Sequence, residues 1–197
     1  MNDDEQWRRW SPAAQEKALL GLQRLTDKPW KPFYCDKVAC NGKPHGKWDF
    51  PHGRADQHPP GGDDWLTWLV AGGRGAGKTT TGSRWTNRIT KWSPRIALIA
   101  PTGPDARDTM IEGESGVLAT AAPGQRPEWE PSKKKLTWPN GAIGHAFSGE
   151  EPDRLRGPQH SAAWVDEPAH IPLIEDVWSN LLFGLRVGQH PHICATT

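Results

Sequence analysis

The sequence predicts an α/β fold in which a mostly parallel β-sheet carries helices on both faces. Two observations lead to this prediction. Short apolar runs, typical of buried strands, alternate with longer stretches whose composition suits helices. A glycine-rich loop also stands directly between one such strand and one such helix, at residues 72–79. The 197 residues are enough for one domain with a substantial core.

The predicted elements follow in chain order. Ser11-Pro12 has the form of an N-cap followed by proline and predicts a helix that ends near Leu25. Residues 26–64 are rich in Pro, Gly, His and Lys without periodicity, so a hydrophobic core cannot order them by itself. The remaining sequence predicts strands at 65–71, 95–100, 161–165 and 192–196, a hairpin at 135–147 around Pro139-Asn140-Gly141, and helices at 79–92, 105–118 and 171–185.

Residues 72–79 match the pattern G-x-x-x-x-G-K-[S/T] of a phosphate-binding loop. Its glycines allow backbone N–H groups to converge on phosphate oxygens, and the helix that follows adds its positive N-terminal end. Lys78 is expected to reach the β- and γ-phosphates, and the Thr79 hydroxyl to bind Mg²⁺. A flexible linker is the alternative, which the flanking strand and helix disfavour. The predicted nucleotide contacts are Gly72, Gly73, Arg74, Gly75, Ala76, Gly77, Lys78, Thr79 and Thr80.

A second acidic element is needed to hydrolyse a triphosphate, and the strand at 161–165 runs directly into Asp166 and Glu167. Where a strand ends the chain leaves the sheet, so both carboxylates can face the nucleotide. Asp166 is then expected on the Mg²⁺ side, with Glu167 as the base that orients and activates water. The alternative is an exposed acidic turn, but the complete phosphate loop favours catalysis.

Charge that develops on the transferred phosphoryl group calls for an arginine, from the same chain or from a neighbouring subunit. Arg74 lies inside the phosphate loop, where many such loops carry a neutral residue. Arg156 lies in the turn at 153–158, just before the acidic strand, where a surface arginine is the default interpretation. The residues alone leave both candidates open.

Charge, cysteine content and the length of the apolar runs limit the classes of function that this sequence can have. Lys and Arg total 24 against 23 Asp and Glu, so no global positive field marks a nucleic-acid binder. Any DNA contact must be local, at the lysines 133–135 or at Arg84, Arg88 and Arg95, and solvated surface charge is the simpler explanation of either group. Three cysteines without a signal peptide indicate a reducing, intracellular setting. No apolar run reaches the roughly 20 residues that a membrane span needs.

Four side chains before the phosphate loop form a candidate zinc site. Cys35, Cys40, His45 and His52 have the spacing C-x₄-C-x₄-H-x₆-H, and thiolates with imidazoles suit Zn²⁺ in a closed tetrahedral site. Such a site would be structural, because four protein ligands leave no open position, and it could order a segment that lacks a core. The alternative is two buried free cysteines and two surface histidines.

Taken together, several blocks resemble the ATPase domain of a tailed-bacteriophage terminase large subunit, the motor that packages DNA into procapsids. The resemblance covers about residues 54–197, nearly three quarters of the chain. The block at 151–159, Glu-Pro-Asp-Arg-Leu-Arg-Gly-Pro-Gln, is far more specific than the phosphate loop, which many unrelated proteins share. The other matching segments are 54–60, 71–79, 100–102, 108–113, 131–142, 147–150, 163–167 and 195–197.

The resemblance implies a P-loop NTPase of the ASCE, RecA-like class at 54–197, preceded by a small segment, 1–53, with the N-terminal helix and the candidate zinc site. It implies that Gln57 contacts adenine and that Arg74 is the family's phosphate-loop arginine. It also implies that Arg156 reaches the active site of a neighbouring subunit, which makes a homo-oligomeric ring the working form. Thr196 and Thr197 match the coupling motif, which passes hydrolysis on to DNA movement.

The same resemblance implies ATP and Mg²⁺ as ligands, and as partners double-stranded DNA, the portal protein of the procapsid and the small terminase subunit. The expected location is the host cytoplasm, transiently at the portal vertex, without secretion or membrane insertion. Family members continue past the coupling motif into the rest of the sheet and a nuclease domain, which are not in these 197 residues. The sequence is therefore expected to be a fragment without the nuclease.

Two other functions stay open at this point. A helicase-like DNA translocase is disfavoured because residues 166–169 read Asp-Glu-Pro-Ala rather than a helicase box, and because no second motor domain follows. A non-hydrolysing nucleotide-binding fragment is favoured by the end of the sequence at Thr197, in or just after a strand.

Overall fold

The structure is a computed structural model that describes residues 57–61, 64–188 and 190–197. The predicted helix at 11–25 and the zinc candidates Cys35, Cys40, His45 and His52 lie outside the described residues. Among the helices that are described, none combines the length and apolar character needed to cross a membrane.

Seven strands in the described part of the chain form one sheet. They are β1 (Thr67–Val70), β2 (Arg95–Ala100), β3 (Glu128–Glu130), β4 (Lys135–Thr137), β5 (Ile143–Ser148), β6 (Ala162–Asp166) and β7 (His192–Thr196). Their order across the sheet is β1-β7-β6-β2-β5-β4-β3. The first five strands in that order are parallel, and β4 and β3 extend the sheet as antiparallel strands. The predicted mostly parallel sheet is confirmed, and so is the hairpin, which is β4 and β5.

Three α-helices accompany the sheet: α1 (Lys78–Ile89), α2 (Val117–Thr120) and α3 (Ile174–Gly184). A π-helix spans Asp105–Ile111, and short 3₁₀ turns span Pro131–Lys133, Pro152–Leu155 and Pro168–His170. The prediction of one helix over 105–118 is wrong. The chain packs tightly against the end of the π-helix at Gly113 and Gly116. A Cβ at Gly113 would lie 2.8 Å from a backbone carbonyl oxygen, and a Cβ at Gly116 would lie 2.6 Å from one, so only glycine fits at either position.

Helices cover both faces of the sheet, as predicted. On one face, α1, α2 and the π-helix bury Trp85, Met110 and Val117 against the sheet. On the other face, α3 buries Val177 and Leu181. The central strands are therefore buried on both sides, and all residues from 96 to 100 have 0% exposure. This explains why β2 is a continuous apolar run rather than an alternating pattern.

The parallel order places the carboxyl ends of β1, β7, β6, β2 and β5 along one edge of the sheet. In open α/β sheets, ligands bind in the crevice at this edge. The glycine-rich loop leaves β1 there, Glu167 follows β6, and Thr197 follows β7. Strand β7 lies between β1 and β6, so the segments that the sequence marked for phosphate and for acid chemistry are two strands apart in space.

Candidate nucleotide site

The glycine-rich loop has the backbone geometry that its sequence demands. Gly75 and Gly77 have φ values of 76° and 79°, the left-handed region that side chains other than glycine rarely adopt. The N–H of Ala76 donates to Gly73 O at 3.2 Å and closes a turn before α1 begins at Lys78. The Thr81 N–H and hydroxyl each donate to Gly77 O at 2.9 Å, which fixes the loop to the first turn of α1.

The space beside the loop is open where a phosphate group would approach. A Cβ added to Gly73 or to Gly75 would meet no atom within 4 Å. On the other side of the loop, a Cβ on Gly77 would lie 2.8 Å from Nε2 of Gln57, whose side-chain amide is 3.5 Å from Gly77 O. The predicted adenine contact, Gln57, is therefore held against the backbone of the phosphate loop.

Lys78 joins the loop to the acidic pair. Its Nζ donates to Gly72 O at 2.7 Å and lies 3.5 Å from Oε1 of Glu167. The Lys78 side chain is 16% exposed and that of Glu167 is 32% exposed, so this ion pair is partly shielded from solvent. Gly72 and Glu167, which are 95 positions apart in the sequence, thus share one cationic group.

The two carboxylates have different surroundings. Asp166 ends β6 and is 6% exposed, whereas Glu167 leaves the sheet with φ 46°. A residue with a β-carbon pays a conformational cost in this left-handed region, and such strain is found mostly at functional sites. The Glu167 N–H donates to Thr196 O at 2.6 Å, which holds the turn. This backbone turn directs Glu167 to Lys78.

Burial raises the pKa of Asp166 above its ordinary value, and the Glu167 and Asp105 carboxylates add to the rise. A hydrogen bond from Thr196 and the positive charge of Lys78 act in the opposite direction. A metal ion bound at this carboxylate would favour its charged form.

The predicted coupling residues lie between the two halves of the site. The Thr196 hydroxyl donates to Oδ1 of Asp166 at 2.5 Å and accepts the indole N–H of Trp164 at 2.8 Å. Thr197 connects to the start of the loop, because its N–H donates to Val70 O and its carbonyl accepts the N–H of Gly72, both at 3.0 Å. The segment after β7 therefore touches both the phosphate loop and the acidic strand.

The remaining candidates divide into two groups. Thr79 and Thr80 are half-buried in the first turn of α1, and Arg74 is exposed in the loop. Arg156 is elsewhere, with a side chain that is 66% exposed. Its Nε donates to Oδ1 of Asn180 at 3.2 Å and lies 3.3 Å from Asp153. The structure gives Arg156 these partners rather than the acidic pair of its own chain.

The donor set fits a magnesium-bound nucleotide. The hydroxyl of Thr79 and the carboxylate of Asp166 are hard oxygen ligands, which Mg²⁺ prefers. Thr196 takes only one of the two Asp166 oxygens. In the described ranges no cluster of three or more His, Cys, Asp or Glu side chains is suited to a metal. Magnesium in nucleotide sites commonly has one or two protein carboxylates, with phosphates and water completing the shell.

Sequence reasoning missed two polar side chains that hold candidate residues: Trp164, which bonds to Thr196, and Asn180, which bonds to Arg156. Trp164 lies in an apolar run, so nothing in the pattern separates its indole N–H from ordinary core packing. Asn180 lies on α3 and is 7% exposed, a burial that only the packing of α3 on the turn at Pro152–Leu155 reveals.

Solved structures with the same fold include large terminases. The large terminase of a thermophilic bacteriophage matches with 15% identity and a TM-score of 0.52, over 66% of this chain and 33% of that chain. The same protein in complex with ATP-γ-S matches with 17% identity and a TM-score of 0.54, over 66% and 32%. The ATPase domain of the Thermus phage P74-26 large terminase gives 22% identity over 67% and 58%, but its TM-score of 0.47 adds nothing to the assignment.

These likenesses are below 25% identity and establish the fold alone. This chain spans about a third of the length of the first of these large terminases. A search of curated proteins found no match. The family of the terminase large subunit, T4likevirus-type, N-terminal region, matches residues 69–197, well over half of the sequence. This match covers the phosphate loop, the acidic pair and the coupling segment, and the chain therefore belongs to the terminase large subunit family.

Proposed function

We propose that this chain is the ATPase part of a DNA-packaging motor, which hydrolyses ATP to move viral double-stranded DNA into procapsids. The observation that carries the proposal is the position of Lys78 Nζ, 2.7 Å from the loop carbonyl of Gly72 and 3.5 Å from Glu167. A loop built for phosphates and a carboxylate placed to act on water converge there on one cation, in a member of the terminase family.

Each residue has a role that follows from its place. The loop amides and Lys78 bind the β- and γ-phosphates, where the N-terminal end of α1 adds positive potential. Glu167 lies beyond Lys78 and orients the attacking water by accepting its proton. Thr79 and Asp166 hold Mg²⁺, which when bound neutralises charge on the phosphate oxygens. Gln57, at the loop backbone, contacts the adenine.

The two arginines act at different sites. Arg74 is part of the loop and stabilises charge on the nucleotide of its own chain. Arg156 contacts Asn180 and Asp153 rather than the acidic pair of its own chain. This leaves room for the role that the family resemblance implies, at the nucleotide of a neighbouring subunit in a ring. Thr196 contacts the acidic strand and Thr197 contacts the start of the phosphate loop. Through these contacts the two residues transmit the structural change that accompanies hydrolysis to the rest of the sheet.

The wider assignments belong to the same proposal. Residues 54–197 form the ATPase unit and 1–53 a separate N-terminal segment, where Cys35, Cys40, His45 and His52 bind a structural Zn²⁺. The partners are double-stranded DNA, the portal protein and the small terminase subunit, and the site of action is the portal vertex in the host cytoplasm.

Steady-state ATP hydrolysis with magnesium tests the proposal. We expect turnover by the wild type, and loss of both turnover and ATP binding in Lys78→Ala. Glu167→Gln keeps ATP binding but loses about a hundredfold or more in turnover, the usual cost of removing a general base. Glu175→Gln, a change of the same type in the exposed first turn of α3, is the control and retains activity.

Equal turnover in the wild type and in Glu167→Gln would contradict the assignment of the base. A wild type that binds ATP tightly without turnover, also with DNA present, would favour the non-hydrolysing alternative.

A further inference from the structure

We propose that Trp164 is a positioning residue of the nucleotide site, which links the helix after the phosphate loop to the acidic strand through Thr196. This inference rests on the proposed ATPase function. Trp164 lies on β6 with 0% exposure, two residues before Asp166. Its hydrogen bond goes to Thr196 and its ring packs against Gly82 of α1, so it acts on the reaction through these residues.

A chain of two hydrogen bonds leads from the indole to the acid. The Trp164 Nε1–H donates to the Thr196 hydroxyl at 2.8 Å, and that hydroxyl donates to Oδ1 of Asp166 at 2.5 Å. The indole only donates, so the hydroxyl must accept there and keeps one proton to donate. Its two possible acceptors are Asp166 Oδ1 at 2.5 Å and Val165 O at 3.5 Å, and the much shorter distance favours the carboxylate. Trp164 thereby fixes the orientation of Thr196 and, through it, the rotamer of Asp166.

The same indole is packed into the surface of α1. A Cβ added to Gly82 would lie 2.2 Å from Cε2, 2.3 Å from Nε1 and 2.6 Å from Cζ2 of Trp164. No side chain larger than glycine fits there while the ring stays in place, so the indole lies directly on the helix backbone. Gly82 comes one turn after Lys78, the residue at which α1 begins.

The contact between Trp164 and Gly82 connects the helix after the phosphate loop to the acidic strand. Lys78 and Thr79 are on the same helix as Gly82, so a shift of α1 on phosphate binding would press on the indole. The ring is fully buried and bonded to Thr196, so a displacement of the ring would change this hydrogen bond. We infer that phosphate binding and the alignment of Asp166 are coupled through this ring, in addition to the direct contacts of the coupling segment.

The chain offers a matched control. Trp138 is also a buried tryptophan, with 3% exposure, and its Nε1–H donates to Oδ1 of Asn87 at 2.9 Å. Asn87 is likewise on α1, but nine residues after Lys78, and it has no contact with the acidic strand among the hydrogen bonds of the described residues. Trp164→Phe and Trp138→Phe therefore remove the same type of bond from the same helix at different distances from the site.

The experiment measures ATP turnover against magnesium concentration. In Trp164→Phe we expect kcat to fall about tenfold and the half-saturating Mg²⁺ concentration to rise several-fold, a tenfold change being about 1.4 kcal/mol. The ATP concentration for half-maximal rate at saturating magnesium stays within about twofold, because the loop contacts are intact. Trp138→Phe lowers the melting temperature without changing either kinetic quantity.

A double-mutant cycle separates a relay from independent packing defects. Thr196→Val removes the hydroxyl, and we expect Trp164→Phe to cost nothing further in that background, since the residues act as one unit. Thr196→Ser keeps the hydroxyl and remains sensitive to the loss of the indole N–H. Additive effects of Trp164→Phe and Thr196→Val would overturn the proposal.

A second measurement covers the case in which Trp164→Phe does not fold. In the wild type labelled with 5-fluorotryptophan, the ¹⁹F resonance that moves in Thr196→Val identifies Trp164. Adding ADP with magnesium is expected to shift this resonance and to leave that of Trp138 in place. An unmoved Trp164 resonance at saturating nucleotide would contradict the coupling even if the wild type hydrolyses ATP. A wild type that neither binds nor hydrolyses ATP would instead overturn the proposed function.

Discussion

Asp166 and Glu167 are neighbours in the sequence, but a single backbone turn gives them different chemistry. Asp166 is buried at the end of β6, where it accepts the Thr196 hydroxyl. Glu167 adopts φ 46° and reaches Lys78 from a partly exposed position. A buried carboxylate with a fixed rotamer suits a metal ligand, whereas a more accessible one beside a cation suits the handling of water. The sequence could predict the pair, but not this division of surroundings.

His160 gives a prediction at the residue scale that is independent of nucleotide chemistry. It has 1% exposure, and among the described residues neither ring nitrogen has a hydrogen-bond partner. Burial, and then the positive charges of His145 and Arg95, lowers the pKa of His160 to about 4. The neutral imidazole is thus the form that the folded chain accepts.

Because the folded pKa lies below the unfolded value, this contribution to stability is present above about pH 6.5 and is lost as the pH falls toward 4. We expect about 2 kcal/mol of the free energy of unfolding to be lost from His160 between pH 7 and pH 5. Urea unfolding of His160→Leu should lack this part of the pH dependence, and the exposed His170→Leu should keep it. An unchanged pH dependence in His160→Leu would contradict the assignment.

At the scale of elements, α3 controls the turn that carries Arg156. The amide of Asn180 donates to Pro152 O at 3.0 Å and accepts from Arg156 Nε at 3.2 Å, so one buried side chain holds both ends of the turn. Helix α3 thereby holds a guanidinium that is 66% exposed.

Mixing variants tests whether Arg156 acts on a neighbouring subunit. Arg156→Ala and Glu167→Gln should each be inactive alone, and a mixture should regain turnover, because the second variant supplies the arginine that the first one lacks. Adding Asn180→Ala to the Glu167→Gln partner is expected to reduce the regained turnover several-fold, since the guanidinium loses its support. Asn140→Ala, in an exposed turn, is the control. A mixture without activity would contradict action between subunits.

Some of the secondary-structure elements could be predicted from the sequence, and others could not. The apolar runs identified β1, β2, β6 and β7, and the Pro-Asn-Gly turn identified the hairpin, because both patterns depend on local chemistry. Strand β3 was not predicted, since its three residues carry no apolar run and are ordered by pairing with β4. The break after the π-helix depends on close backbone contacts at Gly113 and Gly116, which no local pattern shows.

Across the whole molecule, positive charge collects at the edge of the sheet opposite the nucleotide site. The loops that lead into β2, β6 and β7, at 90–95, 157–161 and 185–191, contain no Asp or Glu, and neither does the turn at 138–142 before β5, whereas the segment before β1 carries Asp63 and Asp64. Lys91, Trp92 and Arg95 are exposed there, and the guanidinium of Arg88 lies 5.8 Å from the Trp92 ring. By contrast, the lysines at 133 and 135 pair with Glu130.

Of the two basic groups that the sequence offered for DNA binding, this distribution favours the arginine group through Arg95, and it adds Lys91, which the sequence did not single out. We expect Lys91→Ala with Arg95→Ala to weaken binding of a fluorescent double-stranded DNA and to reduce the slope of log affinity against log salt by about two, one for each phosphate that is no longer neutralised. Lys133→Ala with Lys135→Ala is the matched control, with binding close to that of the wild type. Anisotropy titrations at several salt concentrations measure both, and the reverse ranking would contradict the assignment.

The central claim for the molecule is that the loop after β1 and the acids after β6 close around one magnesium-bound triphosphate. A crystal structure with magnesium and ATP-γ-S tests it most directly. We expect Lys78 Nζ to exchange Gly72 O for the β- and γ-phosphates, with Thr79 and Asp166 at the metal and Glu167 facing the γ-phosphate. Nucleotide bound away from this loop, or a metal bound without Asp166 within reach, would contradict the account.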